Sequence, residues 1–197
     1  MSFPRHAIVA VDLNTDFFDL PGSKLPIPGS KEIIGPIKDF LGSTTADLVL
    51  FTSDSHDPNH VEYAPDGSAF PQHCVRGTAG EVLVADYRHT VIPAYRLEKN
   101  VFDMWAEYGI VTSYDDDMWT MDKEDFFTEL QSRGIHDIVV IGVASDICVN
   151  FAIKGLVDRG FTVHVMAQYT KGLYREIVEV VKDYPTVKII EGNTVNG

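Results

Sequence analysis

Alternation between short apolar runs and helical stretches is the sequence feature that most constrains the fold of this chain. Residues 7–11 and 47–52 are runs of apolar and β-branched residues, which predict strands buried on both faces. A helix that starts near Pro36 is predicted between them, so the first half contains a β-α-β unit. The second half continues the pattern, with predicted helices at 123–133, 145–159 and 174–182 and predicted strands at 137–141, 161–166 and 187–190.

This alternation predicts the fold class. Strands that alternate with helices form an α/β fold, here a three-layer α/β/α arrangement with an open, mostly parallel sheet of about six strands. Gly134 and Gly160 lie where two of the helices should end. A chain of 197 residues suits a single domain, expected over residues 1–197.

Polar groups follow three of the predicted strands. Asp12 and Asp54 come just after the first two apolar runs, and the turn 142–148 follows the run 137–141. In open α/β sheets the binding crevice lies outside the carboxyl ends of the strands. These three segments are therefore expected to converge at one edge of the sheet.

The turn 142–148 contains Cys148, one of two cysteines in the chain. With Ser145 as the N-cap, Cys148 lies in the first turn of a helix, where free N–H groups and the helix dipole favour the reactive thiolate. Asp146 must then point away from the sulfur. A thiol that attacks a carbonyl also needs a proton acceptor, a cation and oxyanion donors, for which Asp12, Lys99 and the backbone of the turn are candidates.

Each of these residues has a simpler alternative explanation. Cys148 can be a small buried residue, Asp12 a cap or loop residue, and Lys99 a solvated surface lysine.

The segment 53–87 is predicted to be a long loop with a metal site, because it has no periodicity and contains His56, His60 and His73 after Asp54. Carboxylate and imidazole ligands suit zinc, iron or manganese. Surface loop residues are the alternative explanation.

Composition excludes several classes of function. A net charge of −13 argues against a nucleic-acid partner, because phosphate binding needs clustered lysine and arginine. No apolar run reaches the length of about 20 residues that a membrane span needs, and the N-terminal residues lack a signal-peptide core, so a cytoplasmic location is expected. The two cysteines are expected to be reduced, with a Cys74–Cys148 bridge as the alternative.

Five short stretches together resemble a known family. They are 11–17 (VDLNTDF), 53–60 (SDSHDPNH), 70–75 (FPQHCV), 98–99 (EK) and 142–149 (GVASDICV), in that order over about residues 6–170. This set resembles the isochorismatase-like cysteine hydrolases, and within them the nicotinamidase branch. The family implies a metal-containing hydrolase of a small carboxamide, expected to self-associate.

The resemblance implies a role for each matching residue. The implied triad of acid/base, cation and nucleophile is Asp12, Lys99 and Cys148. The implied ligands of one divalent metal ion, preferably zinc, are Asp54, His56 and His73, with His60 as an optional fourth. The implied oxyanion donors are Ala144 and Cys148, next to a cis Val143–Ala144 bond. The implied aromatic walls around the substrate ring are Phe17 and Phe70.

Some stretches depart from the nicotinamidase pattern. Asn14, Thr15 and Phe70 replace residues that are more common there, and 100–105 (NVFDMW) replaces a serine-containing stretch. Alternatives to nicotinamide hydrolysis are therefore hydrolysis of another small carboxamide, or a non-enzymatic metal-binding or redox-responsive protein. Isochorismatases fit less well, since they generally lack the metal loop. The segment 115–117 is expected to be a solvated acidic turn.

Overall fold

An eight-stranded sheet forms the centre of the computed structural model, which describes residues 5–64, 66–116 and 119–191. The strands are His6–Val11 (β1), Leu48–Asp54 (β2), Ala94–Lys99 (β3), Ile110–Ser113 (β4), Thr120–Asp122 (β5), Asp137–Val143 (β6), Thr162–Lys171 (β7) and Lys188–Ile190 (β8). They lie in the order β5-β4-β3-β2-β1-β6-β7-β8, and all pairs are parallel except β3 with β4 and β4 with β5. The predicted open, mostly parallel sheet is confirmed, with two more strands than expected.

Four α-helices connect these strands within the described residues. They are Ile34–Ser43 (α1), Lys123–Ser132 (α2), Cys148–Asp158 (α3) and Ile177–Val180 (α4). Helix α1 begins two residues before Pro36, which lies in its first turn, where a missing N–H costs no hydrogen bond. Gly134 and Gly160 have φ angles of 77° and 81° after α2 and α3, as expected for residues that end helices.

The direction of the connections creates a crevice at the carboxyl ends of β1 and β6. From β1 the chain crosses to β2 on one side, and from β6 it crosses to β7 on the other side. Right-handed crossovers in opposite directions place α1 and α3 on opposite faces of the sheet, which gives the three layers. The crevice lies where the strand order reverses, and ligands bind there in folds of this type.

The predicted loop continues from the end of β2. Strand β2 reaches Asp54, and the residues of 55–86 that the structure describes form isolated bridges and turns but no helix or strand. Asp115 and Asp116 are exposed, and their N–H groups donate to the Ser113 hydroxyl. Asp117, the last residue of the predicted acidic turn, lies outside the described residues.

Two further expectations concern the cysteines and membrane-spanning helices. Both cysteines are free, so the alternative of a Cys74–Cys148 bridge is wrong. Among the described residues, none of the helices has the length and apolar character that crossing a membrane requires.

Candidate active site

Asp12 lies fully buried at the end of β1 in an unusual backbone conformation. Its φ angle is 47°, in the left-handed region that residues other than glycine rarely adopt. Its N–H donates to the Thr52 carbonyl at 3.2 Å, and its Oδ1 accepts from the Thr52 hydroxyl at 2.6 Å. Hydrogen bonds to strand β2 therefore hold Asp12 in this left-handed conformation. Residues with such strained backbone angles are concentrated at functional sites.

Lys99 ends β3, and its ammonium group contacts two buried carboxylates. Its Nζ is 2.7 Å from Asp12 Oδ2 and also pairs with Asp54 Oδ1. Residues Asp54 and Lys99 are register partners, which places them side by side at the ends of β2 and β3. Burial would lower the pKa of Lys99, but the carboxylates raise it well above its ordinary value. Lys99 is therefore a permanent cation.

The two carboxylates differ in their proton affinity. Burial raises the pKa of Asp12, and Lys99 only partly offsets this increase. Burial acts in the same direction on Asp54, but Lys99 and His56 outweigh it and lower the pKa of Asp54. Asp54 therefore stays ionised, whereas Asp12 is suited to accept and release a proton.

Cys148 is the first residue of α3, which begins later than predicted. Ile147 is the N-cap, and the prediction that Ser145 caps the helix is wrong. The reason is that the Ser145 N–H donates to the Lys171 carbonyl at 2.8 Å, so the chain is still paired with β7 at residue 145. Cys148 nevertheless lies in the first turn, as expected.

The Cys148 sulfur is a thiol in the resting site. Burial raises its pKa well above the ordinary value, and Lys99 does not offset this effect. The expectation that the helix N-terminus favours a thiolate is therefore wrong for the resting site. Asp146 is directed elsewhere, as required, because its carboxylate accepts backbone N–H groups of 173–175 at 2.8–3.0 Å. The thiol needs a proton acceptor when it attacks.

Gly142 brings the cysteine turn against β1. Its φ angle is 115°, and a Cβ there would collide with the Val11 carbonyl, so only glycine lets β6 lie this close to the residue before Asp12. The Val143–Ala144 peptide bond is cis, as the resemblance implied. Within the described part of the chain, the N–H groups of Ala144 and Cys148 donate no hydrogen bond, so both are free to bind an oxyanion.

The structure brings the predicted triad together. One ligand atom each of Asp12, Asp54 and Cys148 lies within 4.8 Å of the other two, and Lys99 contacts both carboxylates. Cys148 is buried, but its sulfur lies beside the two carboxylates as well as beside the apolar residues that line the adjoining cavity. A cation already occupies this cluster in the form of the Lys99 ammonium, which argues against a metal ion bound through the cysteine.

A second cluster of potential ligands adjoins the first. Asp54, His56 and His73 each place one ligand atom within 4.8 Å of the other two. Hydrogen bonds from Nδ1–H fix both histidine rings. His56 Nδ1–H donates to the Asn100 carbonyl at 3.0 Å, and His73 Nδ1–H donates to the Pro71 carbonyl at 2.7 Å. A carbonyl only accepts, so each ring directs its Nε2 at the cluster and offers a lone pair there when the ring is neutral, as a metal ligand requires.

These donors fit a divalent cation. The two Nε2 atoms are 3.2 Å apart. The buried Asp54 Oδ2 lies 3.5 Å from the His56 Nε2 and accepts no hydrogen bond among the described residues. A cation would satisfy all three atoms, and histidine ligands typically donate their other N–H to a carbonyl in this way. His60 is not part of this set: its ring stacks on His56 at 4.7 Å between centroids, and its Nε2 lies 3.2 Å from Glu62 Oε1.

A narrow cavity of about 10 Å³ adjoins the Cys148 side chain. Phe17 lines it, as predicted for one wall of a substrate pocket, together with Phe102 and Ile147. Phe70 instead lines a neighbouring groove of about 400 Å³. Phe102 lines both the cavity and the groove, and its ring centroid is 5.5 Å from the ring centroid of Phe70.

Comparison with known proteins identifies the family. The family model described as the isochorismatase domain matches residues 6–179 of the chain. The chain belongs to the isochorismatase family. The resemblance inferred from its five short stretches is therefore confirmed.

Relatives of this isochorismatase-family chain include the nicotinamidase/pyrazinamidase of Mycobacterium tuberculosis, which is 31% identical over 85% of the chain and 87% of the relative. The nicotinamidase of Saccharomyces cerevisiae is 24% identical over 89% of the chain and 93% of the relative. The fold matches the crystal structure of the pyrazinamidase of Pyrococcus horikoshii in complex with zinc, with a TM-score of 0.71, 24% identity and coverage of 96% and 100% of the two chains.

Two residues of this isochorismatase-family site were not anticipated from the sequence. Asn14, noted only as a departure, accepts from the Asp54 N–H at 3.1 Å and donates to the Asp54 carbonyl at 2.9 Å, so it positions a potential metal ligand. Phe102 was noted only as part of the unusual stretch 100–105. The departure of this stretch from the nicotinamidase pattern was the one sequence signal that could point to Phe102. The position of a side chain in an irregular loop depends on tertiary contacts, which the sequence does not show.

Proposed function

We propose that this chain is a metal-containing nicotinamidase, which hydrolyses nicotinamide to nicotinate and ammonia through a thioester on Cys148. The observation that carries this proposal is the convergence of Asp12, Lys99 and Cys148 beside a cavity and an Asp-His-His cluster. The broader assignment, hydrolysis of an amide C–N bond, has support from the nicotinamidase relatives at up to 31% identity.

Acylation begins with proton transfer from the Cys148 thiol to Asp12. The sulfur attacks the carboxamide carbon, and the carbonyl oxygen becomes an oxyanion that accepts hydrogen bonds from the N–H groups of Ala144 and Cys148. Asp12 then gives its proton to the amide nitrogen, the C–N bond breaks, and ammonia leaves. The raised pKa of Asp12 favours this double role, because the carboxyl group holds the proton between the two transfers.

Deacylation reverses the order of proton transfers. A water molecule attacks the thioester carbon while Asp12 accepts one of its protons. The C–S bond then breaks, the carboxylic acid forms, and Asp12 returns the proton to the Cys148 sulfur. Lys99 contributes a fixed positive charge beside Asp12 and the sulfur throughout, which stabilises the negative charge that develops at each step.

One divalent ion is proposed at Asp54, His56 and His73, with zinc preferred and iron or manganese as alternatives. Asp54, His56 and His73 would hold this ion, which would supply a Lewis acid that orients the ring nitrogen of the substrate and nearby water. The residues of this chain keep the ligands in place: Asn14 holds the Asp54 backbone, and Asn100 accepts the His56 Nδ1–H. His60 is proposed to support the His56 ring by stacking.

Phe17 is proposed as one face of the substrate pocket, where a flat ring would stack. Phe70, proposed as the opposite face, reaches the same space only when Phe102 is displaced, because Phe102 lines both the cavity and the groove.

Ammonia release from nicotinamide by the purified protein, loaded with zinc, tests the proposal. We expect turnover that Cys148→Ala abolishes and that Cys74→Ala retains, since the Cys74 sulfur belongs to neither cluster of the site and burial strongly raises the pKa of its thiol. No ammonia release from nicotinamide at any substrate concentration would remove this function.

Hydrolysis of another small carboxamide is the second candidate. The small volume of the cavity and the unusual stretch 100–105 favour it. A panel of aromatic and aliphatic amides separates the two candidates: the nicotinamidase proposal requires the highest kcat/KM for nicotinamide. A non-enzymatic metal-binding protein predicts turnover of none of them and no selective reaction of iodoacetamide with Cys148.

A further inference from the structure

Phe102 forms the boundary between two spaces of very different size. The cavity beside Cys148 has a volume of about 10 Å³, which is room for about one water molecule. The groove on the other side has a volume of about 400 Å³ and is also lined by Phe70 and Phe151. Of the described residues, Phe102 and Ile147 line both. A six-membered ring reaches the sulfur only if one of these walls moves.

The wall that can move without the backbone is Phe102. Phe17 and Phe102 are both buried, but Phe17 lines only the cavity, whereas Phe102 also lines the groove. Ala144 is held in the turn that carries the oxyanion donors. Ile147 is β-branched, which restricts its rotamers, and it occupies the N-cap of α3. The Phe102 ring stacks on His73, with 5.5 Å between centroids, and has the open groove on its far side.

The backbone around Phe102 is fixed. Its N–H donates to Glu62 Oε1 at 3.1 Å. Farther along this segment, the buried Lys123 donates to the carbonyls of Met104 and Glu107 at 2.5 and 2.7 Å. Rotation of one side chain is therefore the available motion, whereas displacement of the whole segment would break these bonds.

Trp105 anchors the same segment to α3. Its indole N–H donates to the Phe151 carbonyl at 3.1 Å, and the ring lies against Gly155, where a Cβ would collide with it. The segment that replaces the family's usual sequence after Lys99 thus has its own rigid support.

We infer that Phe102 sets the size of the acyl group that reaches Cys148. Its ring rotates into the groove to admit a single flat ring, and it excludes amides with fused rings. This inference rests on the proposed amidase function and deepens it, because it defines the substrate class as small carboxamides with at most one ring.

The test compares kcat/KM for nicotinamide and for quinoline-3-carboxamide, its fused-ring counterpart, in the zinc-loaded enzyme. Phe102→Ala is expected to raise the ratio of the fused-ring value to the nicotinamide value by about tenfold or more, because truncation opens the cavity to the groove. Phe151→Ala is the matched control. It also removes a phenyl ring, but Phe151 lines only the groove and not the cavity. An unchanged ratio in Phe102→Ala, or an equal rise in Phe151→Ala, overturns the inference.

A second readout separates this inference from the proposed function. The rates at which iodoacetamide and the bulkier N-phenylmaleimide modify Cys148 are measured by peptide mass spectrometry in the same proteins, independently of any turnover. Phe102→Ala should raise the rate for N-phenylmaleimide relative to iodoacetamide, and Phe151→Ala should not. If no amide is hydrolysed, the proposed function fails while these rates still decide the role of Phe102. Phe102→Leu, which keeps an apolar side chain on His73, replaces the alanine variant if that variant does not fold.

Discussion

Replacing Lys99 with methionine tests the buried charge cluster on which the proposed chemistry depends. Methionine has a similar length but no charge, so the substitution leaves the carboxylates of Asp12 and Asp54 buried without their shared cation. Removal of one partner from a buried ion pair typically costs about 3–5 kcal/mol, because the remaining charge is neither solvated nor paired.

The structure gives an independent estimate of this loss. Oxygen atoms of Asp12 and Asp54 lie within 4.8 Å of each other. Two unit charges at that distance repel each other by about 3.5 kcal/mol with an effective dielectric constant of about 20. For a chain of 197 residues, each kcal/mol lowers Tm by about 2–4 °C, so we expect Lys99→Met to lower Tm by about 7–14 °C.

Thermal unfolding followed by circular dichroism, in chelator at neutral pH, measures this change. Lys154→Met is the matched control, because Lys154 forms an exposed ion pair with Asp158 and should change Tm only slightly. Adding Asp54→Asn to Lys99→Met should recover much of the loss, since it removes the repulsion. A Lys99→Met variant as stable as the wild type, or a double variant with no recovery, refutes the account of the cluster.

Three further predictions concern individual site residues. Asp12→Asn should lower kcat by about 10²–10⁴ without unfolding the protein, because the amide cannot accept the thiol proton, and normal ammonia release would contradict this role. Gly142→Ala should lower both Tm and activity, since its Cβ would collide with the Val11 carbonyl; an unperturbed variant would show that the close approach is unnecessary. Dialysis against chelator followed by zinc should restore about one ion per chain, measured by elemental analysis, and His73→Ala should reduce that content; equal content in both proteins would place the metal elsewhere.

The sequence predicts the centre of the sheet better than the side formed by β3, β4 and β5. Strands β1, β2 and β6 are buried on both faces, so they are continuous apolar runs that can be recognised without a structure. Strand β3 has the mixed sequence AYRLEK, and β5 has three residues, so neither resembles a buried strand. Strands β3 and β5 depend on pairing with their neighbours on this side of the sheet, which local sequence does not encode.

The same distinction applies to the site. Asp12 and Cys148 follow recognisable strands, so topology alone predicts that they meet. The start of α3 was misplaced because Ser145 pairs with Lys171, a contact 26 positions away that no capping preference reveals. The prediction of a Cys148 thiolate is wrong for the resting site because burial, which raises the pKa of the thiol, depends on the whole fold, whereas the position at a helix N-terminus is evident from local sequence.

Capture of the covalent intermediate tests the central claim most directly. Acid quenching during turnover of nicotinamide, followed by peptide mass spectrometry, should show one nicotinoyl group attached to Cys148 and none on Cys74. Turnover that proceeds with no acyl group on Cys148, and that persists in Cys148→Ala, would contradict a thioester mechanism at this residue.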